Sequence, residues 1–135
     1  MVGRETRIDG RRRVVITGIG CVTPVGNDVA ATWDSLLTGR SGGAPITQFD
    51  TTAFKVKFAC EVKNFDLEKY IPGKEARHMD AFIHYGLAAS MQAVRDAGLP
   101  TGEALTPDLA ERVGVLVGSG IGGLPMIEQT HKDYM

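Results

Sequence analysis

Arg13-Val14-Val15-Ile16-Thr17-Gly18-Ile19-Gly20 and Val113-Gly114-Val115-Leu116-Val117-Gly118-Ser119-Gly120-Ile121-Gly122-Gly123 decide the fold. Each is a β-branched apolar run that breaks into glycine. A strand buried on both faces reads as such a run, and in an α/β sheet it delivers a loop to a site at its carboxyl end. The sequence therefore predicts strands over residues 12–19 and 112–117. Helical patterns lie between them, which implies a right-handed parallel crossover. Two parallel strands are too few to bury both faces of a sheet, so the piece needs more chain or a partner to be a stable domain.

The intervening segments punctuate clearly. Residues 20–26 form a loop, because Pro24 cannot continue a ladder. A helix follows, capped by Asn27 or Asp28. Val29, Trp33, Leu36 and Leu37 recur at helical spacing, and Gly39 is the stop. Residues 40–64 are irregular, with a short strand expected around 57–62. Residues 66–71 read as one helical turn ended by Pro72-Gly73. The clearest helix is predicted over 75–97, with Met79, Phe82, Ile83, Leu87, Met91 and Val94 on one face and Gly98 and Pro100 closing it. Ala88, Ala89 and Ala93 on that helix predict close packing against a neighbour. Thr106-Pro107 has the form of an N-cap with proline at the first helical position. Residues 124–134 again show helical spacing.

Composition narrows the class. The 135 residues are 43% hydrophobic and 23% charged, which is the balance of a globular chain. Fifteen basic residues against sixteen acidic ones give no overall bias toward a nucleic acid or a membrane surface. No apolar run approaches the roughly 20 residues that span a bilayer. Cys21 and Cys60 follow no metal-ligand spacing and there is no secretory signal, so reduced thiols in a cytoplasmic protein are expected.

Gly118, Gly120 and Gly123 match the G-x-G-x-x-G pattern after a predicted strand and before a helical segment. The acidic residue that a dinucleotide site needs about 20 positions later would lie past residue 135, so the match stands without its second half. The other run has Thr23 where a third glycine would stand. Two readings remain open for both runs: close packing of strand on helix, or the lining of a ligand site. Ile121 favours the second, since a bulky apolar side chain between glycines suits an apolar ligand better than a phosphate.

Several motifs in register then carry a family resemblance. They are the 13–20 run, Thr23-Pro24-Val25-Gly26-Asn27, Trp33-Asp34-Ser35-Leu36-Leu37-Thr38-Gly39-Arg40-Ser41-Gly42, Phe49-Asp50-Thr51, Arg77-His78-Met79-Asp80-Ala81-Phe82 and the 118–123 run. Together they resemble the start of a β-ketoacyl-acyl-carrier-protein synthase of the elongating synthase II type, over residues 11–135. The resemblance implies an α/β, thiolase-like fold, of which this chain supplies part of the first half, with two core strands and their crossover helices. Residues 1–10 are expected to be a flexible tail. Residues 11–135 are expected to be an N-terminal part of the synthase domain, ending before the nucleophile.

The implied reaction is a decarboxylating Claisen condensation. An acyl chain moves from its carrier to a cysteine, malonyl-carrier loses carbon dioxide, and the carbanion attacks the thioester. The resemblance implies no redox or metal cofactor, and a homodimer when the protein is complete. Neither Cys21 nor Cys60 lies in the family's nucleophile motif, and His78, His84 and His131 match none of its histidine motifs. No catalytic residue is therefore assigned, and the chain alone is expected to be inactive. Two roles carry over by position. Gly120, Ile121 and Gly122 correspond to the acyl-pocket lining, with Ile121 as its gate. Lys74, Arg77 and His78 stand where the family docks the acidic acyl-carrier protein. His78 replaces a more usual lysine, which implies weaker, pH-dependent docking there. Cations at the start of a long helix oppose its dipole, a further hint of an acidic partner. The rival readings are a nicotinamide-dependent oxidoreductase, resting on the glycine match, and a non-catalytic acyl-carrier-binding module.

Overall fold

The computed structural model describes residues 13–135. The predicted tail, residues 1–10, lies outside the described residues.

Helix α1 spans Val29–Leu37. Asp28 supplies the cap: its Oδ1 accepts from the Ala31 amide at 2.7 Å. At the other end Gly39 takes φ +68°, and the Gly39 and Arg40 amides donate to Leu36 and Ser35. That pairing is a Schellman stop, and glycine meets its left-handed requirement without a Cβ penalty. Asn27 leaves the cap to Asp28. Its Nδ2 donates instead to the carbonyls of Lys63 and Asn64, at 2.9 and 3.0 Å. Ser35 is buried and donates to the Val25 carbonyl at 2.8 Å, which fixes α1 to the preceding loop.

The expected short strand is present as β2, Phe58–Ala59, paired antiparallel with β1, Ala44–Pro45. The Ile46 amide extends the pairing to the Lys57 carbonyl. Glu61 closes it by accepting from both the amide and the hydroxyl of Thr47, at 3.1 and 2.8 Å. The turn at Leu67–Lys69 also matches the expectation.

Two elements differ from the sequence reading. The long helix predicted over 75–97 is broken. A short helix α2, Gly73–Ala76, is followed by a turn, and α3 runs only over Ala81–Asp96. The reason is Asp80. Its backbone is extended (φ −81°, ψ 162°) and its Oδ1 caps the Ala81 amide. A capping carboxylate at that point competes with helix continuation. The C-terminal end is as expected: Gly98 at φ +63° and Leu99 donate back to Arg95 and Val94 in a second Schellman stop.

The second difference concerns the strands. Residues 13–19 and 112–117 carry no ladder, and the only sheet among the described residues is β1–β2. A strand exists by pairing, and the two apolar runs do not pair with each other. The first run packs on α3 instead. A Cβ at Gly18 would strike Ala93 and Ala97, and one at Gly20 would strike Ala89, Gln92 and Ala93. The amides that follow these two glycines bond the helix surface: Ile19 to Asp96 at 2.9 Å and Cys21 to Gln92 at 3.2 Å. The expected close packing at Ala89 and Ala93 is thus found, and Ala88 is fully buried.

Helix α3 therefore buries its small-residue face and leaves its large apolar face half-covered. An open groove of about 490 Å³ runs there past Leu87, Met91, Val94 and Leu99. Helix α4, Pro107–Ala110, begins as expected with Thr106 capping Leu109, and helix α5 spans Leu124–Tyr134. Among the described residues the buried core is small: Ile71, Ala76 and Ala88, with Ser35.

Candidate functional site

The two segments with family-implied roles both border the start of α3, one preceding it in sequence and the other touching Asp80 and Phe82. Lys74 lies in α2, and Arg77 and His78 lie in the turn after it; all three are exposed. The broken helix changes their electrostatics. Arg77 is the C-cap of α2, and His78 lies two residues before the Asp80 cap, so these cations precede α3 and do not occupy its first turn. The expected dipole conflict is weaker than the unbroken helix implied, and the cluster stands mainly on its exposure and position.

The loop of residues 118–123 has two unlike halves. Around Gly118 and Gly120 the space is open, and Ile121 between Gly120 and Gly122 is 77% exposed. Gly122 adopts φ +81°, which favours glycine, and a Cβ there would meet the Phe82 ring at 3.4 Å. A Cβ at Gly123 would collide with the Asp80 carboxylate. Asp80 Oδ2 also accepts from the Met126 amide at 3.1 Å, in the first turn of α5. One carboxylate thus caps α3 and holds the start of α5. The loop carrying Ile121 is anchored at its C-terminal side and open on the other.

This geometry bears on the glycine match. A pyrophosphate would need Gly123 clear and the first-turn amides of α5 free. Asp80 occupies that approach with a negative charge, which disfavours a phosphate there. For Gly18 and Gly20, packing accounts for both glycines.

The remaining candidates settle into structural roles. His84 Nε2 lies 3.2 Å from the Ala76 carbonyl and joins α3 to α2, as a satisfied, half-buried side chain. Cys21 Sγ contacts the Thr32 hydroxyl at 3.5 Å, a partner that cannot serve as a general base, and Cys60 is exposed. Among the described residues no group of three or more histidine, cysteine or acidic side chains could hold a metal ion. No helix among them is long and apolar enough to cross a membrane.

Sequence reasoning missed Asp80 and Gln92. Asp80 was legible in principle, as an N-cap residue directly before an apolar periodic run. Gln92 was not, because its partners are remote. It donates to the Asn27 carbonyl at 2.8 Å and the Tyr70 hydroxyl at 3.1 Å while accepting from Cys21.

Comparison with known proteins gives a consistent picture. Residues 11–134 match the family described as "Beta-ketoacyl synthase, N-terminal domain". The chain is 52% identical over 122 residues to 3-oxoacyl-[acyl-carrier-protein] synthase 2 of Vibrio cholerae, covering 90% of this chain and 28% of that protein. It is 47% identical over 124 residues to the protein of the same name from Staphylococcus aureus (strain COL), covering 92% and 29%. Among solved structures it is similar to the ishigamide ketosynthase/chain length factor, with a TM-score of 0.58 and 41% identity over 67% of this chain and 22% of that one. The chain spans under a third of the length of the curated relatives it matches.

Proposed function

The chain belongs to the β-ketoacyl synthase family through its N-terminal domain, and from that premise we propose that the complete protein is a 3-oxoacyl-acyl-carrier-protein synthase of fatty acid biosynthesis. The fold class is α/β and thiolase-like. In the proposed reaction an acyl thioester passes from its carrier to an enzyme thiolate. Malonyl-carrier loses carbon dioxide, and the resulting carbanion forms the new carbon–carbon bond as the thiolate leaves. The nucleophile is assigned to neither Cys21 nor Cys60. The complete protein acts as a cytoplasmic homodimer in this reading.

The 135 residues contribute two parts to this reaction. Gly120, Ile121 and Gly122 line the acyl pocket, with Ile121 as the gate that moves aside for the chain. Lys74, Arg77 and His78 receive the acidic carrier. The observation that carries the reading is the half-open loop. Ile121 stands exposed between two glycines, with free space at Gly118 and Gly120 and a fixed anchor beyond. An apolar side chain so placed can swing without disturbing the fold.

The test uses a chimera in which residues 11–134 replace the matching segment of the Vibrio cholerae synthase. Replacing Ile121 with phenylalanine overfills the gate. Condensation should fall most for long acyl substrates and little for short ones. Equal loss at every chain length would make Ile121 a packing residue and remove the gate assignment.

A further inference from the structure

Asp80 has a job that neither helix capping nor family position requires. One oxygen caps the Ala81 amide, and the other accepts from the Met126 amide, 46 residues away in sequence. The turn Gly120 to Gly123 ends three residues before Met126, and its last residue lies against the same carboxylate. Gly123 faces the same carboxylate so closely that any side chain there would displace it. Gly123 has φ −91°, a value open to every residue, so glycine is needed at this position for proximity and not for backbone conformation. Gly122 in turn faces Phe82, two residues after Asp80, which an added Cβ would meet at 3.4 Å. Three and two residues before Asp80 are Arg77 and His78, both exposed.

We propose that Asp80 is a positioning residue for the Ile121 loop. Its carboxylate clamps the C-terminal side of the loop to the start of α3, so that gate movement is confined to residues 118–121. The clamp lies directly after the exposed basic segment, and a partner bound there would bear on the same anchor. The proposal rests on the reading of Ile121 as the acyl gate.

Asparagine separates the two tasks of Asp80. It is as good an N-cap as aspartate, so α3 keeps its start. It has only one acceptor oxygen, and with that oxygen on Ala81 its amide nitrogen would face the Met126 N–H donor to donor. Gly123→Ala attacks the same clamp from the opposite side by pushing the carboxylate away. In the chimera, both variants should speed exchange of the Met126 amide about tenfold, the effect of losing a charge-assisted hydrogen bond. Both should raise KM for long acyl substrates about fivefold while leaving kcat and short-substrate KM near the parent values. Asp80→Ala, which also loses the cap, should show the same KM pattern with a lower melting temperature. Unchanged Met126 exchange in Asp80→Asn and Gly123→Ala overturns the clamp. So does a loss shared equally by kcat and KM at all chain lengths, which marks a fold defect. Ile121→Phe, measured beside them, separates the two claims. If it shifts the chain-length profile and the clamp variants do not, only this proposal falls. If it leaves the profile flat, the gate reading falls and this proposal with it.

Discussion

The backbone of Gly20 lies directly against the carbonyl oxygen of Ala89 on α3, with no room for a Cβ between them. Gly18 meets Ala93 and Ala97 in the same way. Glycine at alternate positions presents a flat edge to the helix, while the Ile19 and Cys21 amides bond Asp96 and Gln92. Gly20→Ala should therefore force the run off the helix at a cost of about 1–3 kcal/mol, typical of overpacking. Gly114→Ala is the control: nothing lies within 4 Å of its added Cβ, and its effect should stay within about 0.5 kcal/mol. Urea midpoints of the two variants, each made in the chimera, check the contrast. Equal midpoints would mean that the contact at Ala89 carries no stability.

This contact also shows what a sequence can and cannot give. Gly18 and Gly20 after an apolar run, and Ala89 and Ala93 on a helix, were each legible as close-packing residues. Helix ends were legible too, since Asp28, Gly39, Gly98 and Thr106-Pro107 act through neighbours within a few residues. Strand formation at 13–19 and 112–117 was not legible as an outcome. Apolar β-branched runs report a preference for a buried ladder, while the ladder itself depends on a partner strand at any distance. The break before Asp80 was misread because Met79 continues the apolar period of α3 across it. Periodicity registers side-chain faces, and the cap acts on the backbone. At the candidate site, Ile121 was singled out through its flanking glycines. The Asp80 bridge to Met126 joins segments that no local pattern connects.

The β1–β2 pair gives a pH-dependent prediction. Hydrogen bonds from the Thr47 hydroxyl, and then from its amide, hold the Glu61 carboxyl below the usual glutamate value. A lowered folded-state pKa means that the contribution is present above the unfolded value, about 4.3, and is lost as pH falls through the folded one. Thr47→Val removes the larger of the two causes. The Glu61 carboxyl, followed by carbon NMR, should then titrate at higher pH than in the parent chain. An unmoved midpoint would show that the hydroxyl bond does not persist in solution.

Uncovered apolar surface gives the third prediction. Val14, Ile16, Val115 and Leu116 are more than four-fifths exposed, and Trp33, Leu36 and Leu37 leave the apolar face of α1 open. The accessible surface is 11601 Å², against roughly 7,000 Å² for a folded monomer of this size. A chain with this much apolar surface in water should bind a hydrophobic dye strongly and associate as its concentration rises. Sedimentation velocity across a tenfold concentration range measures the association. A dye-silent monomer with a sharp cooperative melt would contradict the prediction.

The last prediction concerns Arg77. It is exposed at the C-terminal end of α2, a position that the helix dipole does not disfavour. Its proposed role is contact with an acidic carrier, and charges at the edge of an interface act mainly on association rate. Arg77→Glu in the chimera should weaken turnover of carrier-linked substrate about tenfold at low salt, through kcat/KM. Substrate on a small thiol should be turned over at the parent rate, because the substitution lies outside the proposed acyl pocket. Raising the salt should narrow the difference, since exposed charges are screened beyond a Debye length of about 8 Å at physiological ionic strength. The decisive measurement is carrier-linked against small-thiol turnover at two ionic strengths. If Arg77→Glu lowers both alike at both, the residue supports the turn between α2 and α3. Docking at Lys74, Arg77 and His78 would then be abandoned together, since nothing but shared exposure and position joins the three.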